Sequence, residues 1–447
     1  MRKRALYFVL FLAAANMLSA QEVKTWSLDD CINYALDKNI QLQQNKISLE
    51  ESAIDVKTAK AALFPSLSFS TNQNVVNRPY QESSSMISGS EVISSNNKTT
   101  YNGNYGLNAQ WTVWNGNKRS NNIKQQKLNQ QMAGLTVNQT ENSLQEQITQ
   151  LYIQILYADE SVKINESTLE VSKAQRDRGK ELLTAGSLSK ADLAQLESQV
   201  NSDQYQLVTA QASLQNYKLQ LKQLLELDGE QDMALELPAL SDEKVSNPLP
   251  DKTDIYYTAL GLRPEIKSSK LSIQNADLNI AIAKSGYYPT ISLNASSSTN
   301  NNSSSSFAFS SQLKSGWNNT VGFSLSLPIF NNRETKSAVE KARLQRNDSE
   351  LSLINEQKAL YKTIESLWLD ANSARQQFEA ADSKQTSSQT SFDMVSEQFN
   401  LGMKNIVELL TEKNNLLSAK QERIQAKYMA IMNRTLLQFY AGEKITL

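Results

Sequence analysis

From Tyr101 to Val113 the chain alternates between apolar and polar residues. Tyr101, Tyr105, Leu107, Ala109, Trp111 and Val113 share one parity with Gly103, and Asn102, Asn104, Asn108, Gln110 and Thr112 share the other with Gly106. A period of two predicts a strand with one greasy and one wet face. The pattern returns at Val321, Phe323, Leu325, Leu327 and Ile329, set against Thr320, Gly322, Ser324, Ser326 and Pro328. Weaker alternation follows Pro65 (Leu67, Phe69) and Pro289 (Ile291, Leu293). Proline cannot sit in a helix interior, so Pro65 and Pro289 mark the change to extended chain. Four strands are predicted, over about 65–76, 101–114, 290–298 and 319–330. The Ser/Asn-rich segments 76–100 and 296–318 read as solvated loops.

The rest of the chain has a helical period. Residues 28–62 read as helix. Residues 118–183 read as one very long helix, with Leu144, Ile148, Leu151, Ile155, Ala158 and Val162 at alternating four and three spacing. At about 1.5 Å per residue it would extend roughly 100 Å. After Gly186 a strict heptad runs Leu193, Leu196, Val200, Asp203, Leu207, Ala210, Leu214, Tyr217, Leu221 and Leu224, broken only by Asp203. Leu410, Leu417, Ile424 and Ile431 recur every seven residues near the other end. Sustained heptads predict left-handed coiled coils.

The chain repeats itself. Leu63-Phe64-Pro65-Ser66-Leu67 aligns with Tyr287-Tyr288-Pro289-Thr290-Ile291, and Ala35-Leu36 with Ala259-Leu260. Further on, Gly186 aligns with Gly402, and Asp192-Leu193 with Glu408-Leu409. The offset is 224 in the first set and 216 in the second, a change that fits a shorter loop in the second copy, and matches in this order mark two copies of one unit. The expected organisation is a leader over 1–20, a first repeat over 21–227, a proline-bearing linker over 228–254 and a second repeat over 255–447. The leader has a basic start (Arg2, Lys3, Arg4), an apolar run and small residues before Gln21. That is the pattern of a cleaved secretory signal, with cleavage expected after Ala20. The other reading, a membrane anchor, needs about 20 apolar residues, and the run here is about 14. No Cys follows the run, so a lipoprotein anchor is not expected.

Composition narrows the chemistry. There is no histidine, and Cys31 is the single cysteine. This excludes His-based metal sites, Ser-His and Cys-His nucleophiles, intrachain disulfides and Cys-cluster metal sites. Cys31 is either packed in a helix or a free thiol. A net charge of −1 gives no basic footprint for nucleic acid. Neighbouring acids such as Asp29-Asp30 point apart on a helix, and no phosphate-binding glycine loop is present. No enzyme activity and no cofactor are expected.

Strands of about ten residues with opposed faces suit either a half-buried sheet or an outer-membrane β-barrel. An open sheet edge is not tolerated in lipid. Four strands are also fewer than the smallest single-chain barrels, with about eight. A barrel would therefore need other copies, and three copies make twelve strands.

The leader, the duplicated helix–strand–strand–helix order, the strand starts at Pro65 and Pro289, the two glycine hairpins and Leu325-Ser326-Leu327-Pro328-Ile329-Phe330 together resemble the TolC-like outer-membrane efflux family. The resemblance spans essentially the whole mature chain. It implies a mainly helical fold with a membrane β-barrel part, a homotrimer whose twelve strands sit in outer-membrane lipid and continue as a periplasmic coiled-coil tube. It also implies docking to a periplasmic adaptor and an inner-membrane pump, and passive export of small molecules or proteins. The alternative is a secreted coiled-coil scaffold or adhesin without a pore.

Two turns carry the candidate site. They are Ala185-Gly186-Ser187-Leu188-Ser189 and Leu401-Gly402-Met403-Lys404-Asn405. Each places glycine after a long helix, and Ser189 and Asn405 can cap the next one. They are either plain helix–helix turns or, where helix ends gather at one mouth, a closure. The resemblance implies that these tips contact the adaptor and that the second hairpin carries a gate. Lys404 and Glu408 match the family's gate charges, and Asp192 matches the acid of the first hairpin. A ring of Glu408 would favour cations, although an acid in a first helical turn also suits the helix dipole. Thr411 stands where some members carry a second acid, and Phe399 stands where the type protein has a tyrosine.

Overall fold

The computed structural model describes residues 25–80, 84–88, 91–95, 98–228, 233–238 and 240–447. The leader expected over 1–20 lies outside them.

Duplication is visible in the element lengths. The first repeat runs α1 (Leu28–Lys38), α2 (Ile40–Ala61), β2 (Ser66–Asn77), β5 (Thr99–Asn115), α3 (Lys118–Thr184) and α4 (Lys190–Leu224). The second runs α6 (Lys252–Leu262), α7 (Pro264–Lys284), β7 (Thr290–Asn302), β8 (Asn318–Ser326), α9 (Glu334–Asn400) and α10 (Ile406–Tyr440). The long helices α3 and α9 have 67 residues each, and the return helices α4 and α10 have 35 each. Every position of the second hairpin therefore lies 216 residues after its counterpart in the first. Smaller elements fill the connections: β1 (Thr25–Trp26), the β3–β4 hairpin (Ser84–Ser88, Glu91–Ser95), β6 (Ala234–Leu235), α5 (Glu243–Ser246) and α8 (Phe309–Ser315).

Three expectations need refinement. The helix expected over 28–62 is broken at Asn39, whose ψ of 126° is extended. The segments read as loops hold structure, β3–β4 in the first repeat and α8 in the second. Serine and asparagine favour turns by local hydrogen bonding, so composition hid these short elements. Strand β7 extends to Asn302, past the expected 298, and β8 stops at Ser326, short of 330. Leu327 and Ile329 continue the alternation, but Pro328 between them has no N–H to donate to a ladder.

The chain folds into two compact units that cut across the repeats. Among the described residues, one holds those up to Lys46, Leu135–Lys267 and Asn355–Leu447, and the other holds Ile47–Gly134 and Ser268–Ile354. Neither repeat is a unit by itself, because each hairpin's apolar seam is covered by the other hairpin.

In the second unit, four strands form one antiparallel sheet in the order β2-β5-β7-β8. Its central pair joins the two repeats. Cross-strand rows separate cleanly by face. Leu67, Ala109, Ala295 and Val321 form one row, and Trp111, Leu293 and Phe323 another. The opposite face carries Ser68, Asn108, Ser296 and Thr320, then Ser70, Gly106, Ser298 and Asn318. None of these four strands contains an ionisable acid or base other than tyrosine. The apolar face is bare. Leu67, Phe69, Val321 and Phe323 are 74%, 64%, 82% and 66% exposed. Within the sheet, β2 and β8 each have one neighbour, so two edges are open.

Each strand pair enters its long helix through two consecutive left-handed residues, Gly116 and Asn117 in one repeat, Asn332 and Arg333 in the other. A side chain on Gly116 would meet the Ser285 carbonyl and Tyr288 Cβ at 2.9 Å, so that joint requires glycine. Arg119 donates to the Ala62 carbonyl at 2.8 Å and Trp111 Nε1 to the Leu63 carbonyl at 2.8 Å, fastening α3 and β5 to the end of α2.

The first unit is built by α1, α4, α6, α10 and the parts of α3 and α9 that follow Gly134 and Ile354. Its core includes Cys31, Ala35, Ile148, Ile155, Leu207, Leu214, Leu221, Ile424 and Ile431. Cys31 is fully buried, so it is a packed core residue. The inter-repeat segment is tied down: β6 pairs in parallel with β1, and Asp242 accepts from both Arg423 and Lys427 of α10. Among the described residues no helix is long and apolar enough to cross a membrane.

Candidate functional site

The two hairpin turns are near copies of one design. Gly186 and Gly402 adopt φ of +75° and +74°, the left-handed region that glycine enters most cheaply. Around Gly186 the N–H of Ser187 donates to the Leu182 carbonyl at 2.8 Å, and around Gly402 that of Met403 donates to the Gln398 carbonyl at 2.8 Å. These bonds close the last helical turn and satisfy carbonyls that would otherwise be orphaned.

The return helices start on reciprocal caps. Ser189 Oγ accepts from the Asp192 N–H at 3.1 Å, and Asp192 accepts from the Ser189 hydroxyl at 2.7 Å. In the second hairpin Asn405 Oδ1 accepts from the Glu408 N–H at 2.9 Å, and Glu408 accepts from the Asn405 N–H at 3.1 Å. Both candidate acids therefore begin helices as well as carrying charge. Glu408 has a second partner: the Lys404 ammonium donates to its other oxygen, four residues apart in the same chain. That contact and the Asn405 N–H hold the Glu408 carboxyl below the usual carboxylate range. Lys404 and Glu408 are brought together, whereas nothing ties Asp192 to them.

The remaining candidates divide by exposure. Ala185, Gly186, Ser187, Ser189, Leu401, Gly402, Met403 and Asn405 are exposed, with Leu401 and Met403 at 65% and 70%. Thr411 is exposed, and its hydroxyl donates to its own helix at the Val407 carbonyl, 2.7 Å away. Phe399 is buried, packed with Leu196, Phe392, Ile406, Leu409 and Leu416, with Leu188 leaning on the same cluster. An aromatic there serves as an apolar anchor under the turn.

Two features escape the sequence reading. Gly179 lies where α3 meets α4, and a Cβ there would fall 2.5 Å from Leu196 Cδ1. Asp203, the break in the heptad, is fully sheltered against Lys413 of α10, with side-chain exposures of 4% and 3%. Ser172 of α3 donates to Asp203 and accepts from Lys413, and Gln199 donates to the other Asp203 oxygen at 2.9 Å. Burial pushes the Lys413 ammonium down while the Asp203 carboxylate pulls it back up. A break in an apolar seam signals a partner, but its identity needed the fold.

Comparison with known proteins follows the duplication. Residues 31–226 and 255–443 each match the family model described as outer membrane efflux protein. Among curated relatives, the outer membrane efflux protein BepC of Brucella suis is 20% identical over 425 residues, covering 94% of this chain and 86% of BepC. The outer membrane protein TolC of Escherichia coli is 24% identical over 296 residues, covering 63% of this chain and 58% of TolC. Among solved structures, CusC superposes with a TM-score of 0.79 at 19% identity, covering 95% of this chain and 96% of CusC.

Proposed function

The chain belongs to the outer membrane efflux protein family, and from that premise we propose that it is the outer-membrane duct of an efflux or type I secretion system. The observation that carries this is the sheet, with one bare apolar face, one neutral polar face and two unpaired edges. Lipid forbids an open edge. Three copies joined edge to edge, β2 of one chain beside β8 of the next, close twelve strands. The apolar rows then meet lipid and the Ser/Asn rows line water. The protein is a homotrimer in the outer membrane, exported by its leader, with the helical unit in the periplasm.

Transport is passive and follows the gradient set by a partner pump. The hairpin turns are the docking points for a periplasmic adaptor that joins duct and pump. Leu401 and Met403 supply exposed apolar contacts there. Lys404 and Glu408 form the gate. Their ion pair fixes both charges beside the turn of the second hairpin. The cargo is a small toxic compound or a protein delivered by the pump.

Membrane fractionation with crosslinking tests the reading. A detergent-extracted outer-membrane trimer supports it, and a water-soluble extracellular species, as a coiled-coil scaffold would be, overturns it. Affinity isolation of crosslinked complexes then identifies the adaptor.

A further inference from the structure

The buried charges are distributed unevenly between the two repeats. Asp203 belongs to the first repeat and Lys413 to the second. The fixed displacement of 216 residues gives each a counterpart. Lys413 corresponds to Glu197, and Asp203 corresponds to Ala419. Ser172, the third member, corresponds to Ser388 and is the same in both repeats.

We propose that the Asp203–Lys413 contact is a pairing code that seats each first-repeat hairpin beside a second-repeat hairpin and rejects its own kind. Packed in the same geometry, two first-repeat hairpins would set Glu197 against Asp203, two carboxylates in a sheltered site. Two second-repeat hairpins would bury Lys413 against Ala419, an ammonium with no partner. Only the unlike combination matches charges. A second contact penalises one of the two like pairings: the Tyr428 hydroxyl of α10 bonds Glu160 of α3 at 2.8 Å, and the counterpart of Tyr428 is Ala212, so two first-repeat hairpins would leave Glu160 without this bond.

A code is needed because the hairpins have equal lengths and similar apolar seams, so the seams alone do not tell them apart. Buried ion pairs add little net stability, but a single buried polar contact can set register and partner in coiled coils. The duct reading enters only for neighbours in different chains, because the contact seen here lies within one chain.

The test uses the full-length protein with Cys31→Ala and one reporter cysteine, Val200→Cys, on the first-repeat seam. A short bismaleimide links two chains only where first-repeat hairpins lie side by side. With the native pair, linked chain dimers are expected to be absent. With Asp203→Leu and Lys413→Met together they are expected to appear, at several times background. Single reversals, Asp203→Lys or Lys413→Asp, are expected to lose protease-resistant hairpins, and the double exchange to restore them. The code is overturned if the apolar pair folds with the parental crosslinking pattern, or if the double exchange does no better than the single reversals. Subunit number of the parent, measured by surface-lysine crosslinking, reports on the duct separately. A monomeric parent overturns the duct and with it the rejection between chains, while the reversal-and-exchange series still decides whether the contact seats the two hairpins of one chain.

Discussion

Asn39 and Arg263 break the same helix in the two repeats. Their backbones nearly coincide, at φ −60°, ψ 126° and φ −65°, ψ 130°, and each N–H donates four residues back, to Ala35 and Ala259. The side chains hold the break differently. Asn39 Oδ1 accepts from the Leu42 N–H at 3.1 Å, whereas Arg263 precedes Pro264, which itself favours an extended residue before it. Arg263 also pairs with Glu146 and Glu265 at 2.9 Å and lies 4.0 Å over the Tyr440 ring.

Removing that arginine leaves Glu146 in a sheltered site without its cation. Burial already holds the Glu146 carboxyl above its ordinary range, against the pull of Arg263. Arg263→Met is expected to cost about 3 kcal/mol at neutral pH. A raised folded pKa means the folded state takes up the proton more readily. The stability this contributes is present at low pH and is lost as pH rises through the folded value. The deficit should therefore shrink as the pH is lowered from neutral into the acid range. Thermal melts of Arg263→Met across this range check the sign, and adding Glu146→Gln should flatten the pH dependence.

The two faces of the sheet should respond oppositely to charge. Phe323→Arg puts a cation on the apolar row and is expected to cost about 2–4 kcal/mol of membrane stability if it lies near the bilayer centre. Ser324→Arg, one residue on, faces the polar side and should assemble normally. Heat-resistant trimer yield in outer-membrane fractions measures both. Equal tolerance would contradict lipid contact for that face.

At the helix crossing, Gly179→Val should destabilise the first hairpin by about 1–3 kcal/mol through overpacking against Leu196. Leu196→Ala in the same chain should recover part of the loss by opening room. Gly186→Ala and Gly402→Ala have nothing within 4 Å of the added carbon, so only backbone strain of about 1 kcal/mol is expected. Protease sensitivity at the turns distinguishes the two kinds of damage.

Neutralising Lys404 and Glu408 together is expected to raise single-channel conductance in planar bilayers and to reduce cation preference. The depressed Glu408 pKa keeps its contact with Lys404 intact above the ordinary carboxylate range, with loss only as pH falls through that lowered value. Conductance of the parent should therefore be steady from neutral to mildly acidic pH. Unchanged conductance and selectivity in the double variant would remove these residues from the gate.

Local patterns carried much of this protein. The period-two faces around Leu107 and Phe323, the heptads after Gly186, the duplicated order and both capping turns follow from neighbouring residues. Strand faces, helix seams and glycine turns are decided by backbone sterics and by spacing along one element. Short elements were hidden where serine and asparagine run together, and the break at Asn39 was hidden because helix resumes at the very next residue, Ile40.

What tertiary structure alone decided involves residues far apart in the chain. The pairing of β5 with β7 joins the repeats, and the compact units therefore cut across them. Asp203 looked like a flaw in a seam until Lys413, 210 positions later, was seen against it. The physical reason is common to both. A lone strand edge or a lone buried charge is costly, and its relief comes from whichever partner the whole fold brings near.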